Sequence, residues 1–338
     1  MVGRARRHHL VSKFYLRHFA DQSGLVATVE LPGHRTFTQS VEDASVRRDY
    51  YTAVDNEGEE TDSAETAFAK IEGPAAKSWR NVTGGTWPLT PTDRGNMAAW
   101  IALQLLRADS VRTSMEQIGS DVVQLEIMMG GRDRLRENLR DQGRPFNDLA
   151  VNAEWVSLFI DPPKVDVQAN HHLQHVVELL PRVMLGLLGR WWLLTRFDRR
   201  TLATSDNPVV LIPNDRDTQL GLGTGIDTAD QILVPLTRRL CLSLATRDSL
   251  APDLAHAVDL VQPGSTQVAL YANSATSRNA RRFLFHHPQD TPLAGLELPD
   301  RREREIGQSG DPWRFMRIDD RQVLIDAGLE PPTTLDDT

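Results

Sequence analysis

The chain has 338 residues, 40% of them hydrophobic, and carries Lys+Arg 38 against Asp+Glu 46, a net charge of −8. It is long enough to bury a substantial core, and its negative balance excludes a surface that attracts nucleic acid everywhere. The single cysteine, Cys241, excludes an intramolecular disulfide and favours the cytoplasm, while no apolar run approaches the roughly 20 residues that cross a membrane.

The first part of the chain combines a short amphipathic helix, three strands and a longer helix. Ser12 stands at the start of the first helix, and Pro32-Gly33 supplies a turn between two strands. Asp62 and Glu65 have the spacing of a capping box, and Gly73-Pro74 predicts a bend in the helix that follows. The predicted elements are a helix at 12–20, strands at 25–30, 35–38 and 50–54, and a helix at 62–79.

The middle of the chain is predicted to be mainly helical. Thr90-Pro91-Thr92-Asp93 combines a cap, a proline at the first helical position and an acid three residues after the cap. Asp161-Pro162-Pro163 breaks the pattern, and Pro181 predicts a kink in the next helix. The predicted helices span 90–107, 110–129, 132–141 and 167–188, and the segment 148–160 fits a helix or a strand.

After Gly189 the pattern changes to short apolar segments separated by turn residues, which is typical of strands. The predicted elements are strands at 191–197, 202–205, 209–212, 232–234 and 240–245, a helix at 265–282 and a strand at 283–285. These patterns indicate an α+β fold, in which a helix-rich N-terminal half packs against a mixed or antiparallel sheet from the C-terminal half.

We expect a single α+β domain over 1–325 with a docked N-terminal segment. Its helical part covers about 62–188, its sheet-rich part covers about 189–290, and a flexible tail follows at 326–338.

Two glutamates border the apolar face of the helix predicted at 62–79. At about 100° per residue, Phe68 and Trp79 share that face, and Glu65 and Glu72 lie on its flank. Paired carboxylates at the edge of a core can bind a metal or act as an acid/base pair. The alternative is that Glu65 only closes the capping box and Glu72 reaches solvent.

Gln104 and Arg107 belong to the next predicted helix, whose apolar face includes Met97 and Ile101. Gln104 points into that face, and Arg107 lies at its edge. Because an unpaired buried charge is costly, a buried Arg107 needs an anionic partner. That partner is either Glu72, in a core ion pair, or the anionic group of a ligand.

His9 precedes a dense aromatic segment that contains Phe14, Tyr15 and Phe19. A histidine held in place by such a segment can act as a general base or as a metal ligand. A purely structural role is the alternative. We expect the other two histidines of this segment, His8 and His18, to be solvated.

Asp206 follows a short apolar segment and precedes Asn207-Pro208. The proline keeps Asn207 out of the helical conformation and stiffens the turn, which is a common place for ligand-binding groups. The alternative is an Asx-turn, in which the Asp206 side chain accepts from neighbouring backbone N–H groups.

Other motifs are weak. His171 and His175 have the i, i+4 spacing of zinc ligands, but they lie opposite the face that carries Leu173 and Val176, so we expect them to be solvated. The glycines between 221 and 225 indicate a flexible loop. The sequence has no phosphate-binding loop, no G-x-S-x-G elbow and no CxxC pair.

Two strings together resemble a bacterial family of unknown function, DUF4238. They are His-x-x-x-x-(aromatic)-Tyr-Leu-x-x-Phe at 9–19 and Thr-Ser-Asp-Asn-Pro at 204–208, and the similarity extends over roughly 9–285. Ser12 departs from the family, in which proline is frequent at that position. The resemblance implies a shared site without naming its chemistry. It adds weight to the polar positions that match the family, which are His9, Glu72, Arg107 and Asp206.

Two functions from different classes fit these residues. The first is a divalent-metal-dependent hydrolase of phosphodiester or nuclease type, in which carboxylates hold Mg²⁺ or Mn²⁺ and an arginine meets the phosphate. The basic segment from Arg4 to Arg17 would attract a phosphate-containing substrate or nucleic acid. The second is a non-catalytic ligand-sensing or interaction protein whose buried polar cluster is structural.

The candidate residues fall into three groups. They are His9, Glu72, Arg107 and Asp206 for catalysis, His9, Glu65, Glu72 and Asp206 for metal binding, and Tyr15, Gln104 and Asn207 for other binding. The N-terminal aromatic segment is too apolar to be a free arm, so we expect it to dock on the core. Docking on the C-terminal sheet would bring the four catalytic candidates into one cavity, and a chain that lacks the residues before Ala20 should not fold.

Overall fold

Helices and strands both run through the protein, and its fold class is α+β, as the sequence predicts. The computed structural model describes residues 6–54, 57–61, 63–214, 223–246, 259–302 and 312–330. The chain divides into two compact units: unit 1 comprises 1–112 and 168–303, and unit 2 comprises 113–167 and 304–338. The single domain over 1–325 stays a prediction.

The helices occupy most of the described middle of the chain. They are α1 (Lys13–Leu16), α2 (Ser63–Thr83), α3 (Pro91–Leu106), α4 (Asp109–Asp141), α5 (Asp148–Ile160), α6 (Ala169–Gly189), α7 (Thr266–Asn279) and α8 (Ile318–Asp326). Short 3-10 helices lie at Arg17–Phe19 and Pro312–Phe315. No helix among the described residues is long and apolar enough to span a membrane.

The strands lie on both sides of this helical region. They are β1 (Arg7–His9), β2 (Leu25–Glu30), β3 (Arg35–Ser40), β4 (Val46–Arg48), β5 (Ala53–Val54), β6 (Glu60–Thr61), β7 (Trp191–Arg196), β8 (Thr204–Ser205), β9 (Val210–Ile212), β10 (Gln231–Thr237), β11 (Leu240–Ala245), β12 (Leu260–Pro263) and β13 (Phe283–His286).

Local signals account for several helix boundaries. Thr90 Oγ1 accepts a hydrogen bond from the Asp93 backbone N–H at 3.1 Å, and Pro91 is the first residue of α3. Two predicted helices form the single element α4, but Gly131 interrupts the helical backbone near their predicted junction, with φ 65° and ψ −171°. The predicted capping box depends on Asp62, which lies outside the described residues.

The sheets of unit 1 combine strands that are distant in sequence. A five-stranded sheet has the order β12-β7-β11-β10-β9, with β12 parallel to β7. A four-stranded sheet has the order β3-β2-β13-β8, so that N-terminal β2 pairs with C-terminal β13. The N-terminal strands β2 and β3 therefore join β13 and β8 in a sheet that is separate from the five-stranded one. Strands β1 and β4 were not predicted; they pair with each other and are only three residues long.

One hydrophobic cluster of unit 1 contains the N-terminal segment, helices α2, α3 and α6, and strands β10 and β11. Val11, Tyr15, Leu16 and Phe19 are each 0% exposed. The indole N–H of Trp79 on α2 donates to the Leu236 carbonyl on β10 at 3.0 Å. The helices and the five-stranded sheet thus share a core with the N-terminal segment inside it.

Unit 2 has a smaller core of its own, formed by Met128, Trp155, Trp313, Met316 and Leu324. The Trp155 indole N–H donates to the Asp320 carbonyl at 3.0 Å, which fastens α8 to α5. Helix α8 was not predicted from the sequence. The end of the predicted tail, 331–338, lies outside the described residues.

Candidate functional site

Tyr15 joins the N-terminal segment to strands of two sheets. Its hydroxyl donates to the Pro235 carbonyl on β10 at 2.7 Å and accepts from Thr204 Oγ1 on β8 at 2.6 Å. Burial raises the pKa of the Tyr15 hydroxyl, which therefore stays protonated as the donor. Both hydrogen-bond partners of the hydroxyl are protein atoms, so Tyr15 anchors the N-terminal segment to these strands.

Five side chains of the N-terminal segment, α2 and the end of α3 form a connected polar group, here called the Arg107 cluster. Its members are Ser12, Glu72, Trp100, Gln104 and Arg107. Arg107 is 2% exposed, and its Nη2 lies 2.8 Å from Glu72 Oε1 and 3.0 Å from Gln104 Oε1. Gln104 Nε2 in turn donates to the Leu10 carbonyl at 2.6 Å. The predicted core ion pair between α2 and Arg107 is therefore present.

The hydroxyl of Ser12 stands at the centre of this cluster. It donates to Glu72 Oε1 at 2.7 Å, and it accepts from Trp100 Nε1 at 2.8 Å and from Arg107 Nη2 at 2.7 Å. Its proton and both of its lone pairs are thus occupied. Ser12 is the residue before α1, but its side chain makes no capping bond. This geometry fixes the N-terminal segment and leaves no lone pair for nucleophilic attack.

Glu65 lies near the Arg107 cluster without a hydrogen bond to it. Burial raises the pKa of its carboxyl group, and the nearby His8 and Arg107 act in the opposite direction. Glu65 Oε1 is buried and has no hydrogen-bond partner among the described residues.

Two of the three N-terminal histidines, His8 and His18, are placed differently from the prediction. His8, expected to be solvated, is 0% exposed, and its Nδ1 accepts from the Tyr51 backbone N–H at 2.8 Å. His18 is half-buried, and burial lowers its pKa to about 4. His9 is half-buried, and its Nε2 lies 3.2 Å from the Glu42 carbonyl. Side chains alternate along β1, so it is His8 that faces the interior.

The i, i+4 pair on α6 does not reach into the core. His171 is exposed and His175 is half-buried. The buried histidine of this stretch is His172, whose Nε2 lies 3.1 Å from the Leu106 carbonyl. Burial lowers its pKa to about 4, so the neutral ring donates to that carbonyl.

Asp206 binds backbone groups that are distant in sequence. Its two carboxylate oxygens accept from the backbone N–H groups of Arg281, Arg282 and Phe283 at 2.9, 2.8 and 3.0 Å. The local turn is held instead by Ser205, whose hydroxyl donates to the Asn207 carbonyl at 2.8 Å. Asp206 thus positions the start of β13, a role that neither the Asx-turn nor the ligand hypothesis described.

A cleft of unit 1 opens beside Asp206, with a cavity volume of about 180 Å³. We call it the arginine cleft, after its four arginines. Its lining consists of Leu10, Ser45, Val46, Arg47, Asp109, Ser110, Asp206, Asn207, Arg281, Arg282, Phe283 and Arg301. Four arginines against two aspartates give the lining an excess of positive charge in a chain whose net charge is −8.

Asp109 holds two of these arginines. Arg47 Nη2 lies 2.8 Å from Asp109 Oδ2, the other amino group of Arg47 contacts Oδ1, and Arg281 also pairs with this carboxylate. Asp109 is 8% exposed, whereas the side chains of Arg47 and Arg281 are 49% and 21% exposed. One carboxylate therefore fixes two guanidinium groups at the cleft.

The remaining two arginines differ in their partners. Arg282 binds Glu30 Oε1 through Nε at 3.0 Å and Nη2 at 2.8 Å. That contact lowers the pKa of the Glu30 carboxyl group. Arg301 is exposed. Asn207 Oδ1 is buried and has no hydrogen-bond partner among the described residues, so the lining also offers an acceptor.

The basic segment predicted to attract phosphate is largely paired. Lys13 and Arg17 each contact Glu42 at 2.9 Å, and Arg7 contacts Asp43 at 2.5 Å. The Lys13 hydrogen bond contributes most to lowering the pKa of the Glu42 carboxyl group. Within the described part of this segment, Glu42 and Asp43 therefore offset much of the positive charge that was expected to attract phosphate.

The structure therefore separates the predicted site residues into two places. Glu72, Gln104 and Arg107 meet in the Arg107 cluster, whereas Asp206 and Asn207 line the arginine cleft, a lining that includes none of His9, Glu72 or Arg107. The predicted single cavity is wrong in this respect. The described residues contain no group of three or more His, Cys, Asp or Glu that could hold a metal ion, so the geometry gives the predicted metal set no support.

Sequence reasoning missed Arg47, Asp109 and Arg301. They carry no shared periodic signal, because strand β4, the start of helix α4 and a loop at 301 bring them to one cleft from distant parts of the sequence.

A comparison with family models matches residues 7–290 to a family described as "Protein of unknown function (DUF4238)". No curated protein and no solved structure matches the chain. The matched range contains the Arg107 cluster and every residue of the arginine cleft except Arg301.

Proposed function

The chain belongs to the DUF4238 family, and we propose that it binds a small phosphate-bearing ligand in the arginine cleft. The observation that carries this proposal is the shared carboxylate of Asp109, which orients Arg47 and Arg281 in a lining that holds four arginines and two aspartates. In this proposal the Arg107 cluster stabilises the fold. The protein is then a ligand-binding protein of the second class considered above.

The chemistry of the cleft suits an oxyanion. Guanidinium groups present planar forks of N–H donors that match phosphate oxygens, and prior orientation by Asp109 lowers the entropy cost of binding. Asn207 Oδ1 suits a hydroxyl group of the ligand or of a protonated phosphate. Leu10, Val46 and Phe283 in the lining suit an apolar part of the same ligand.

The metal-dependent hydrolase has less support. The Ser12 hydroxyl is fully hydrogen-bonded, and Arg107 at 2% exposure has protein partners where a substrate phosphate would be needed. A buried charge with partners on several elements is the pattern of a structural network. The expected ligand is still a phosphate-bearing molecule. The proposed binding site is now the arginine cleft in place of the basic N-terminal segment.

Calorimetric titration of the full chain with inorganic phosphate and with a nucleoside monophosphate tests this proposal. We expect binding, and we expect Arg281→Gln to weaken it by about tenfold or more, the loss expected for one charge-assisted contact. Arg17→Gln is the matched control, since Arg17 is an exposed arginine paired with Glu42, away from the cleft lining.

Equal affinity of Arg281→Gln and the parent chain would overturn the proposal, as would an absence of phosphate binding. A separate assay with Mg²⁺ or Mn²⁺ and a generic phosphodiester tests the rival function. Metal-dependent cleavage that disappears in a folded Glu72→Gln variant would favour the hydrolase.

A further inference from the structure

Helix α4 carries an apolar stripe on its solvent side. Ile118, Val122, Leu125 and Met129 follow one another at alternating spacings of four and three residues. This is the spacing of the contact positions in a coiled coil, and it places all four side chains on one narrow face. We call these four residues the α4 seam.

The α4 seam is uncovered. Its members are 51%, 48%, 36% and 64% exposed, in chain order. Single exposed apolar residues are ordinary on protein surfaces, whereas a contiguous row on a helix marks an interaction surface. The same spacing continues toward the N-terminus to Met115, which is half-buried.

The rest of α4 already packs within unit 2. Met128 is 2% exposed in the unit 2 core, and Ile127, on the side opposite the seam, packs against that core. Gly119 faces Val165, because a Cβ at this glycine would lie 3.0 Å from Val165 Cγ1. The helix therefore has its own intramolecular contacts, and the seam is a second apolar face.

Between Arg112 and Arg132, the charged residues of α4 itself are all acidic. At 100° per residue, Asp121 and Glu126 border it on opposite sides. Residues 113–131 contain three acids and no lysine or arginine. An amphipathic helix with lysine or arginine beside its own apolar row would meet this surface with complementary charge.

We propose that the α4 seam binds an amphipathic helix of another protein whose flanking positions are basic. A second copy of the chain fits less well, since its seam would bring the same acids against Asp121 and Glu126. Like charges in register oppose association. The occupant is thus a basic helix, held by apolar contacts along the seam and selected by the acids beside it.

Fluorescence anisotropy with two labelled synthetic helices tests this proposal on the full chain. Both peptides are about three heptads long with leucine at the contact positions, and one carries lysine and the other glutamate at the flanking positions. We expect the lysine peptide to bind at least about tenfold more tightly than the glutamate peptide, and added salt to reduce that preference.

Variants locate the binding surface. Val122→Gln/Leu125→Gln should weaken the lysine peptide by about tenfold or more, whereas Val177→Gln/Leu185→Gln, which changes two equally apolar residues exposed on α6, should not. Asp121→Lys/Glu126→Lys should reverse the preference between the peptides, and this variant leaves the seam itself unchanged.

Three results would overturn the proposal. They are unchanged binding in Val122→Gln/Leu125→Gln, equal binding of the two peptides, and self-association of the chain that this same double variant abolishes. The last result, read by light scattering on a sizing column, would assign the seam to a second copy.

Discussion

The Arg107 cluster and the arginine cleft both set arginines against carboxylates, yet they leave those arginines in different states. Arg107 is 2% exposed and binds Glu72, Ser12 and Gln104 at once. Arg47 and Arg281 are partly exposed and share the single carboxylate of Asp109. A buried arginine whose Nη2 contacts several protein side chains contributes to folding, whereas a partly exposed arginine can also bind a ligand.

The largest expected effect comes from removing the segment that serves both regions. Residues 6–19 provide Ser12 to the cluster and Leu10 to the cleft, together with five side chains that are 0% exposed. A chain that starts at Ala20 should lose cooperative thermal unfolding, measured by circular dichroism, and should aggregate on a sizing column. A soluble, monodisperse chain that melts cooperatively would show that the segment is peripheral.

Glu72→Ala should give the next largest effect, because it leaves Arg107 buried without its carboxylate. We expect a loss of about 3 kcal/mol in the free energy of unfolding by urea, toward the lower end of the range for buried pairs because Glu72 is 27% exposed. Glu72→Ala/Arg107→Met should recover part of that loss.

Glu42→Ala is the matched control for this measurement. Glu42 pairs with Lys13 and Arg17 but is 50% exposed, so its loss should cost about 0–1 kcal/mol. Equal effects at Glu72 and Glu42 would contradict the structural role of the Arg107 cluster.

Asp206→Asn should have a smaller and more local effect. An amide offers one acceptor oxygen where the carboxylate binds three N–H groups, so we expect a loss of about 1.5–3 kcal/mol. Hydrogen exchange should accelerate at the amides of 281–283, while amides of the Arg107 cluster keep their protection. Hydrogen exchange that accelerates evenly over the whole chain would contradict a local role of Asp206 at the start of β13.

The expected effect that is smallest at neutral pH is the pH dependence contributed by His172. Its pKa falls from 6.5 to about 4 on folding, so between these values the unfolded chain binds more protons. Stability should therefore fall as the pH drops from 6.5 toward 4. His172→Gln should flatten part of this slope in urea titrations, whereas a matched change at the exposed neighbour, His171→Gln, should not.

The sequence could predict what depends on local rules. Thr90 and Asp93 mark the start of α3 because capping involves residues three positions apart. Helical periodicity likewise identified Glu72, Gln104 and Arg107, since the faces of α2 and α3 follow from spacing and a buried arginine needs a partner.

What the sequence could not predict depends on pairing between distant segments. The cleft requires β2 beside β13 and the Asp206 carboxylate on the backbone of 281–283, and neither leaves a periodic trace. His8 and His9 were assigned in the wrong order of burial because β1 is too short for its alternation to be recognised.

The arginine cleft draws its walls from several stretches of chain that lie far apart in sequence, from Leu10 to Arg301. A ligand that spans these walls binds only while all of them are assembled, so it acts as a reversible cross-link of unit 1. Mass action then links occupancy to folding: a ligand present at 100 times its dissociation constant adds about 2.7 kcal/mol to the stability of the folded chain. The concentration of that ligand would therefore influence the rate at which unit 1 is lost through unfolding and proteolysis.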